Sequence, residues 1–207
     1  MNNIRLGRCG LRILGAGGHG RVVADIAQIL GYSPIEFIDA TFPDRKKNLV
    51  WDIVGIDFSA PSVGFENFVA LGDNFMRLNA LDAMSASGVL ASILIHPKAI
   101  ISRYAVLGSG SVVMPGAIIN AGARLGRGVI ANSGCTIDHD CILGDGVHIS
   151  PGANVAGGVT IGRASWIGIG ACIRESIEVG ANVIVGAGAA VVHNIQDGAR
   201  VVGIPAK

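Results

Sequence analysis

Two histidines nine residues apart, His139 and His148, are the side chains best suited to chemistry in this chain, and Asp140 directly follows the first. An imidazole of ordinary pKa near 6.5 is roughly three-quarters neutral at pH 7, so it can take a proton from an attacking group without special tuning. A neighbouring carboxylate can orient the ring and stabilise the imidazolium, or it can simply form the turn. A second constellation lies near the start, Gly15-Ala16-Gly17-Gly18-His19-Gly20, with Asp39 nineteen residues after Gly20. Gly15, Gly17 and Gly20 fit a strand, a tight turn and a helix N-terminus that offers backbone N–H groups to phosphate. Asp39 falls about where a ribose-binding acid would. A glycine turn that only packs helix on strand fits the same residues. The four cysteines form no CxxC pair, which points to reduced thiols without metal or disulfide roles.

The element that positions the histidines is a repeat. From Ile101 to Val191 an aliphatic residue returns every six positions, sixteen times, with Ala131 the one small member. A compact side chain follows each of them four residues later, Cys135 and Cys141 included. No helix of period 3.6 or ordinary strand of period 2 keeps that phase, so the pattern predicts a solenoid. Three hexads make a triangular coil of 18 residues, and sixteen give about five coils. Positions 18 apart then stack at the spacing of neighbouring strands, roughly 4.8 Å. His139, two residues after inward Ile137, sits at a corner and points outward. Its column reads Ala121, His139, Gly157, Glu175, His193. The column Asn132, Ser150, Gly168, Gly186 is mostly small and could floor a groove, while Trp166 stacks above His148. By phase Cys135 and Cys141 point inward, which argues against a cysteine nucleophile.

The first ninety-odd residues follow another pattern. Strands are expected at 11–14, 35–38, 68–71 and 93–95, with helices after Gly20 and through 76–87 and a short strand near 51–56. Alternating strands and helices predict a small Rossmann-like α/β domain over 1–95, and the solenoid is expected over 96–207. At that size the α/β unit is half of a dinucleotide fold and suits one nucleotide. Net charge is +1 with 15% charged residues, so no basic face for nucleic acid is implied. Mean hydropathy is +0.54, yet no apolar run approaches the roughly 20 residues of a membrane span. The start MNNIRLGRCG lacks the features of a signal peptide. A cytoplasmic protein is expected.

Hexads across 100–195, followed by Gly203-Ile204-Pro205-Ala206-Lys207, resemble the left-handed β-helix acyltransferases. With the GAGGHG turn, Gly72-Asp73-Asn74 and the run from Asn132 to Cys141, the chain is similar to bacterial sugar O- and N-acetyltransferases acting on amino-sugar nucleotides or sialic acid. The resemblance implies direct transfer from acetyl-CoA, without a metal, to a nucleotide-linked sugar. His139 would be the base and Asp140 would raise its basicity. His148, Ile169 and Ala187 would contact acetyl-CoA, and the Gly157 N–H, one coil above His139, could serve the thioester oxyanion. Gly17, Gly18, His19, Asp39, Ala40 and Gly72 would hold the nucleotide sugar, with Asn132 also at the substrate. Family members often carry two acids where this chain has Asp39-Ala40, which puts the base contact in doubt.

The resemblance further implies a homotrimer of parallel prisms, with His139 of one subunit facing His148 of the partner subunit. Outward aliphatics such as Ile130 and Ile184 would then be covered between subunits. His148 could instead serve only in trimer packing. Transfer to the amine of an amino-sugar nucleotide is preferred, because the α/β half implies a nucleotide carrier. O-acetylation of sialic acid or its activated form is the first alternative. The others are a trimeric nucleotide-binding scaffold without catalysis and a metal-binding trimer of the carbonic-anhydrase type.

Overall fold

The structure is a computed structural model that describes residues 9–58 and 63–207. Residues 1–8, on which the signal-peptide expectation rests, and 59–62 lie outside the described residues.

Alternation of apolar strands with an amphipathic helix builds the N-terminal unit. Strand β1 (Gly10–Leu14) leads into α1 (Gly18–Ile29), then β2 (Ile35–Ile38), the short β3 (Lys47–Asn48), β4 (Trp51–Gly55), β5 (Phe65–Val69) and α2 (Asn74–Ala86). The sheet order is β3-β4-β2-β1-β5, parallel except for the β3–β4 pair. Val23, Ile26 and Ala27 of α1 bury one face against Ile13, Phe37 and Phe68. The Asp73 carboxylate caps α2 by accepting the Met76 N–H at 2.8 Å. Capping of this kind stabilises a helix by about 1 kcal/mol.

The hexads wind into a three-sided parallel solenoid of two-residue strands, with seven, six and five strands on its faces. Each aliphatic repeat residue is the second of its strand and stacks on the residue 18 positions away, as Ile119 on Ile137 and Ile137 on Val155. From Val113 to Val191 these residues are all buried, as are the compact residues from Ser111 to Ala189. Full burial of one such Val or Ile contributes about 1.5–3 kcal/mol. Stacking runs past both ends of the sequence repeat. Leu94–Ile95 pairs with Val112–Val113 on the seven-stranded face, although it was expected beside the α/β strands. At the top, Ile184 pairs with Arg200.

Helix α2 lies along one solenoid corner. Gly110, Gly128 and Gly146 follow one another there with φ between 62° and 71°. A side chain on any of them would collide with Leu81 or Leu78 of α2. The fully buried Arg77 secures the contact, its Nε donating to Gly128 O and its Nη2 to Gly146 O, each at 2.8 Å. Asn74 Nδ2 donates to Ala164 O at 2.9 Å. The N-terminal unit also covers the lower part of the seven-stranded face. Ile130 there is 1% exposed and packs in one cluster with Leu94, Val112, Met114 and the α1 residues. The expectation that Ile130 is left for a partner subunit therefore fails: its own chain covers it. Ile184, higher on the same face, is half-buried.

Candidate active site

His139 occupies a corner because Ile137 must point inward and the next residues turn. Asp140 makes the turn at φ 58°, a left-handed conformation that Asp tolerates better than most residues. Its Oδ2 lies 2.9 Å from His139 Nδ1, so turn formation and ring orientation are one function. Asp138 Oδ1 accepts from the His139 N–H and from Asn120 Nδ2, both at 2.7 Å. With Nδ1 engaged, Nε2 is the free edge of the exposed ring. It points to Gly157, where an added Cβ would come within 2.5 Å of Nε2. A side chain at residue 157 would displace the His139 ring from this position, and φ plays no part. The Gly157 N–H donates to none of the described residues.

The Asp140 hydrogen bond, helped by the charge of Asp138, raises the His139 pKa above 6.5. Its neighbours therefore make the base stronger than a free imidazole, in the direction the resemblance implies for Asp140. Beside it, a cleft of about 500 Å³ is lined by Asn120, Asp138, Thr136, Asn154 and Cys172, among others.

His148 stands on the seven-stranded face in the opposite environment. Its ring lies parallel to Trp166, centroids 5.6 Å apart and planes at 4°. Asn132 Oδ1 accepts the Ser133 N–H at 2.8 Å, which turns the amide Nδ2 toward His148 Nε2 at 3.1 Å. Nε2 is therefore the acceptor and Nδ1 carries the proton. Burial, reinforced by the charges of Arg77 and His19, lowers the His148 pKa to about 3. His19, at the start of α1, is likewise lowered to about 4 by burial and Arg77. Its Nε2 is sealed from solvent without a partner. The α1 N-terminus and His148 thus share one electrostatic neighbourhood inside a single chain.

The remaining predicted residues fall in two groups. Ile169 and Ala187, 18 apart, stack as exposed residues on the corner after the seven-stranded face, beside Trp166. In the column of Gly168 and Gly186 the next coil leaves no room for a side chain: a Cβ on Gly168 would strike its backbone, and one on Gly186 would strike Val202. Gly17, Gly18, Ala40 and Gly72 are exposed, and a Cβ on any of these glycines meets nothing. Helix α1 has Gly17 at its N-cap, with no side-chain cap and no acid in its first turn, which favours an anion there. Asp39 is committed within the protein. Its Oδ2 accepts the Ala16 N–H at 2.6 Å, and its Oδ1 accepts the Thr41 N–H and hydroxyl. Burial pushes its pKa up, but these donors and Arg45 outweigh it and hold the carboxyl below the usual range.

Sequence reasoning missed Arg77, although it shares a helical face with Leu81 and Met84, four and seven residues on. It also missed Arg45 and Asn48, which sit in a polar stretch that reads as solvated loop. Among the described residues no group of three His, Cys, Asp or Glu can hold a metal, and no helix is long and apolar enough to cross a membrane.

Residues 10–84 match the PglD N-terminal domain family. The acetyltransferase domain of PglB from Neisseria gonorrhoeae superposes with a TM-score of 0.91 at 42% identity, over 96% of this chain and 98% of that one. The same domain is also known in complex with acetyl coenzyme A. PerB from Caulobacter crescentus, in complex with CoA and GDP-perosamine, superposes with a TM-score of 0.89 at 36% identity over 96% of each chain. WeeI from Acinetobacter baumannii matches with a TM-score of 0.83 at 26% identity, over 96% of this chain and 98% of that one. The likeness spans the α/β unit and the solenoid together.

Proposed function

The chain belongs to the left-handed β-helix sugar acetyltransferases, and from that footing we propose that it moves an acetyl group from acetyl-CoA directly onto the amine of a nucleotide-linked amino sugar. The observation that carries this reading is the His139 corner, where Asp140 takes Nδ1 and leaves Nε2 against the bare Gly157. The acceptor nitrogen attacks the thioester carbon while Nε2 takes its proton. The unpartnered Gly157 N–H suits the oxyanion that forms, and such a donor can be worth about 10²–10³ in kcat. As the C–S bond breaks, the imidazolium returns its proton to the CoA thiolate. Asp140 holds the ring and the positive charge.

In this reading His148, Ile169 and Ala187 contact acetyl-CoA, Trp166 lying beside them. His148 acts as a neutral N–H donor through Nδ1, since its lowered pKa removes it as the titrating base. Gly17, Gly18, His19 and Gly72 receive the nucleotide sugar at the α1 N-terminus, with Ala40 beside them and Asn132 holding His148 in place. The working assembly is a homotrimer in the cytoplasm, in which His139 reaches the seam formed with His148 of the partner subunit. The GDP-perosamine complex of PerB favours the amine over the sialic acid hydroxyl.

A screen of thiol release from acetyl-CoA against UDP-, GDP-, dTDP- and CMP-linked sugars tests this. At least one amino sugar should turn over, and His139→Ala should lower kcat by roughly 10²–10⁴ while leaving the assembly intact in sedimentation. Turnover of sialic acid alone overturns the acceptor. An undiminished His139→Ala variant overturns the base.

A further inference from the structure

The glycine turn before α1 is held from behind by side chains of the polar stretch after β2. Residue Ala16 is gripped on both sides: its N–H by Asp39, its carbonyl by Arg45 Nη1 at 2.8 Å and Asn48 Nδ2 at 3.1 Å. The Gly17 carbonyl accepts from the same Asn48 amide at 3.3 Å and from the Arg21 N–H at 3.1 Å. Asn48 is fully buried, and Arg21 Nε fixes its amide by donating to Oδ1 at 3.0 Å. Arg45 is anchored in turn by donating through Nε to Lys47 O at 3.0 Å.

A trans peptide directs its C=O and N–H to opposite sides. With the Ala16 and Gly17 carbonyls drawn inward onto Asn48 and Arg45, the N–H groups of Gly17 and Gly18 must face the other way. An added Cβ on either glycine would meet nothing, so this stretch of backbone lies open. Neither N–H donates to any described residue. A free GAGGHG turn would sample many orientations, since glycine loses more freedom on ordering than other residues. Holding its carbonyls removes that cost before a ligand arrives.

We propose that Asn48 and Arg45 are positioning residues that aim the Gly17 and Gly18 amides at the diphosphate of the nucleotide sugar, without touching the ligand. Asp39 belongs to the same clamp, acting on the Ala16 N–H. The inference rests on the proposal that the nucleotide is held at this turn, and the two can fail separately.

Calorimetry with UDP, GDP and acetyl-CoA on the full chain separates them. Asn48→Ala should weaken binding of whichever nucleotide the wild type takes by about tenfold, the effect of one or two lost hydrogen bonds. Acetyl-CoA affinity should stay within about twofold, and turnover should show a raised KM for the nucleotide sugar with kcat retained, a split that general loosening of the fold would not give. Should Asn48→Ala fold poorly, Arg45→Ala carries the test, with Arg45→Lys restoring part of the affinity through a single donor to Ala16 O. Gly17→Ala, whose backbone tolerates a side chain at φ −79°, tests the site itself by projecting a methyl where the phosphate would lie. Weakened binding in Gly17→Ala with wild-type affinity in the clamp variants overturns the clamp alone. Wild-type affinity in Gly17→Ala, or no nucleotide binding by the wild type, overturns the site and the clamp with it.

Discussion

His139 and His148 are separated by nine residues and by half a turn of the same solenoid, yet their surroundings drive them in opposite directions. The first stands exposed at a corner between two carboxylates, its pKa raised. The second lies in the seam between solenoid and α/β unit, stacked on Trp166, hydrogen-bonded to Asn132 and lowered to about 3. The first is therefore protonated more readily than a free imidazole, and the second stays neutral across the working range. Residue type alone makes both candidates for the base; the electrostatic setting separates them.

The most severe way to break this contrast is Arg77→Met. It leaves the Gly128 and Gly146 carbonyls without their donor and should destabilise the chain by about 3 kcal/mol or more, read by urea denaturation. The acid limb of stability should move with it. His19 and His148 have folded pKa values below the unfolded 6.5, so the unfolded chain binds more protons below pH 6.5. Their stabilising contribution is complete above pH 6.5 and is lost as pH falls toward 4, by roughly 3 kcal/mol for His19. Removing the Arg77 charge raises both folded values and shrinks that slope. A variant with the wild-type slope would show that Arg77 does not act on the two rings.

A milder test replaces the seam histidine itself. His148→Phe keeps the stack on Trp166 but removes the Nδ1 donor, so KM for acetyl-CoA should rise about tenfold. The pH dependence of kcat/KM should not move. A shifted limb would mean that His148 titrates in catalysis and that the contrast between the two rings is wrong.

The smallest effect is expected at the corner. Asp140→Asn keeps a side chain that tolerates φ near 58° and can still accept from Nδ1, but it removes the carboxylate that contributes most to the raised pKa. A raised pKa places the rise of activity at higher pH, so this variant should shift the acid limb of kcat/KM downward, toward 6.5. Its limiting rate should fall only by about threefold as the base weakens. An unmoved limb would assign the tuning to Asp138.

How much of this was legible in the residues differs between the two halves. The hexads placed every inward aliphatic from Val113 to Val191, set Trp166 above His148 and brought Gly157 against His139. The strand before the repeat was read into the wrong unit, because two apolar residues carry no period of their own. For Ile130 phase says only that it points outward and cannot say what covers it, and the cover is its own α/β unit. The polar stretch holding Arg45 and Asn48 gave no signal, because side chains that bond to backbone carbonyls have the composition of a solvated loop.

By itself the sequence determined the three-sided coil and the stacking of the His139 corner, because an 18-residue turn converts spacing along the chain directly into neighbours in space. It also marked the glycine turn, through the spacing of Gly15, Gly17 and Gly20 between a strand and a helix. Only the tertiary structure decided which histidine is sealed from water, which arginine bridges the units and which carboxylate is already occupied. Those outcomes depend on how the α/β unit docks on one face and one corner of the solenoid, and no period along the chain encodes a contact between two differently built parts.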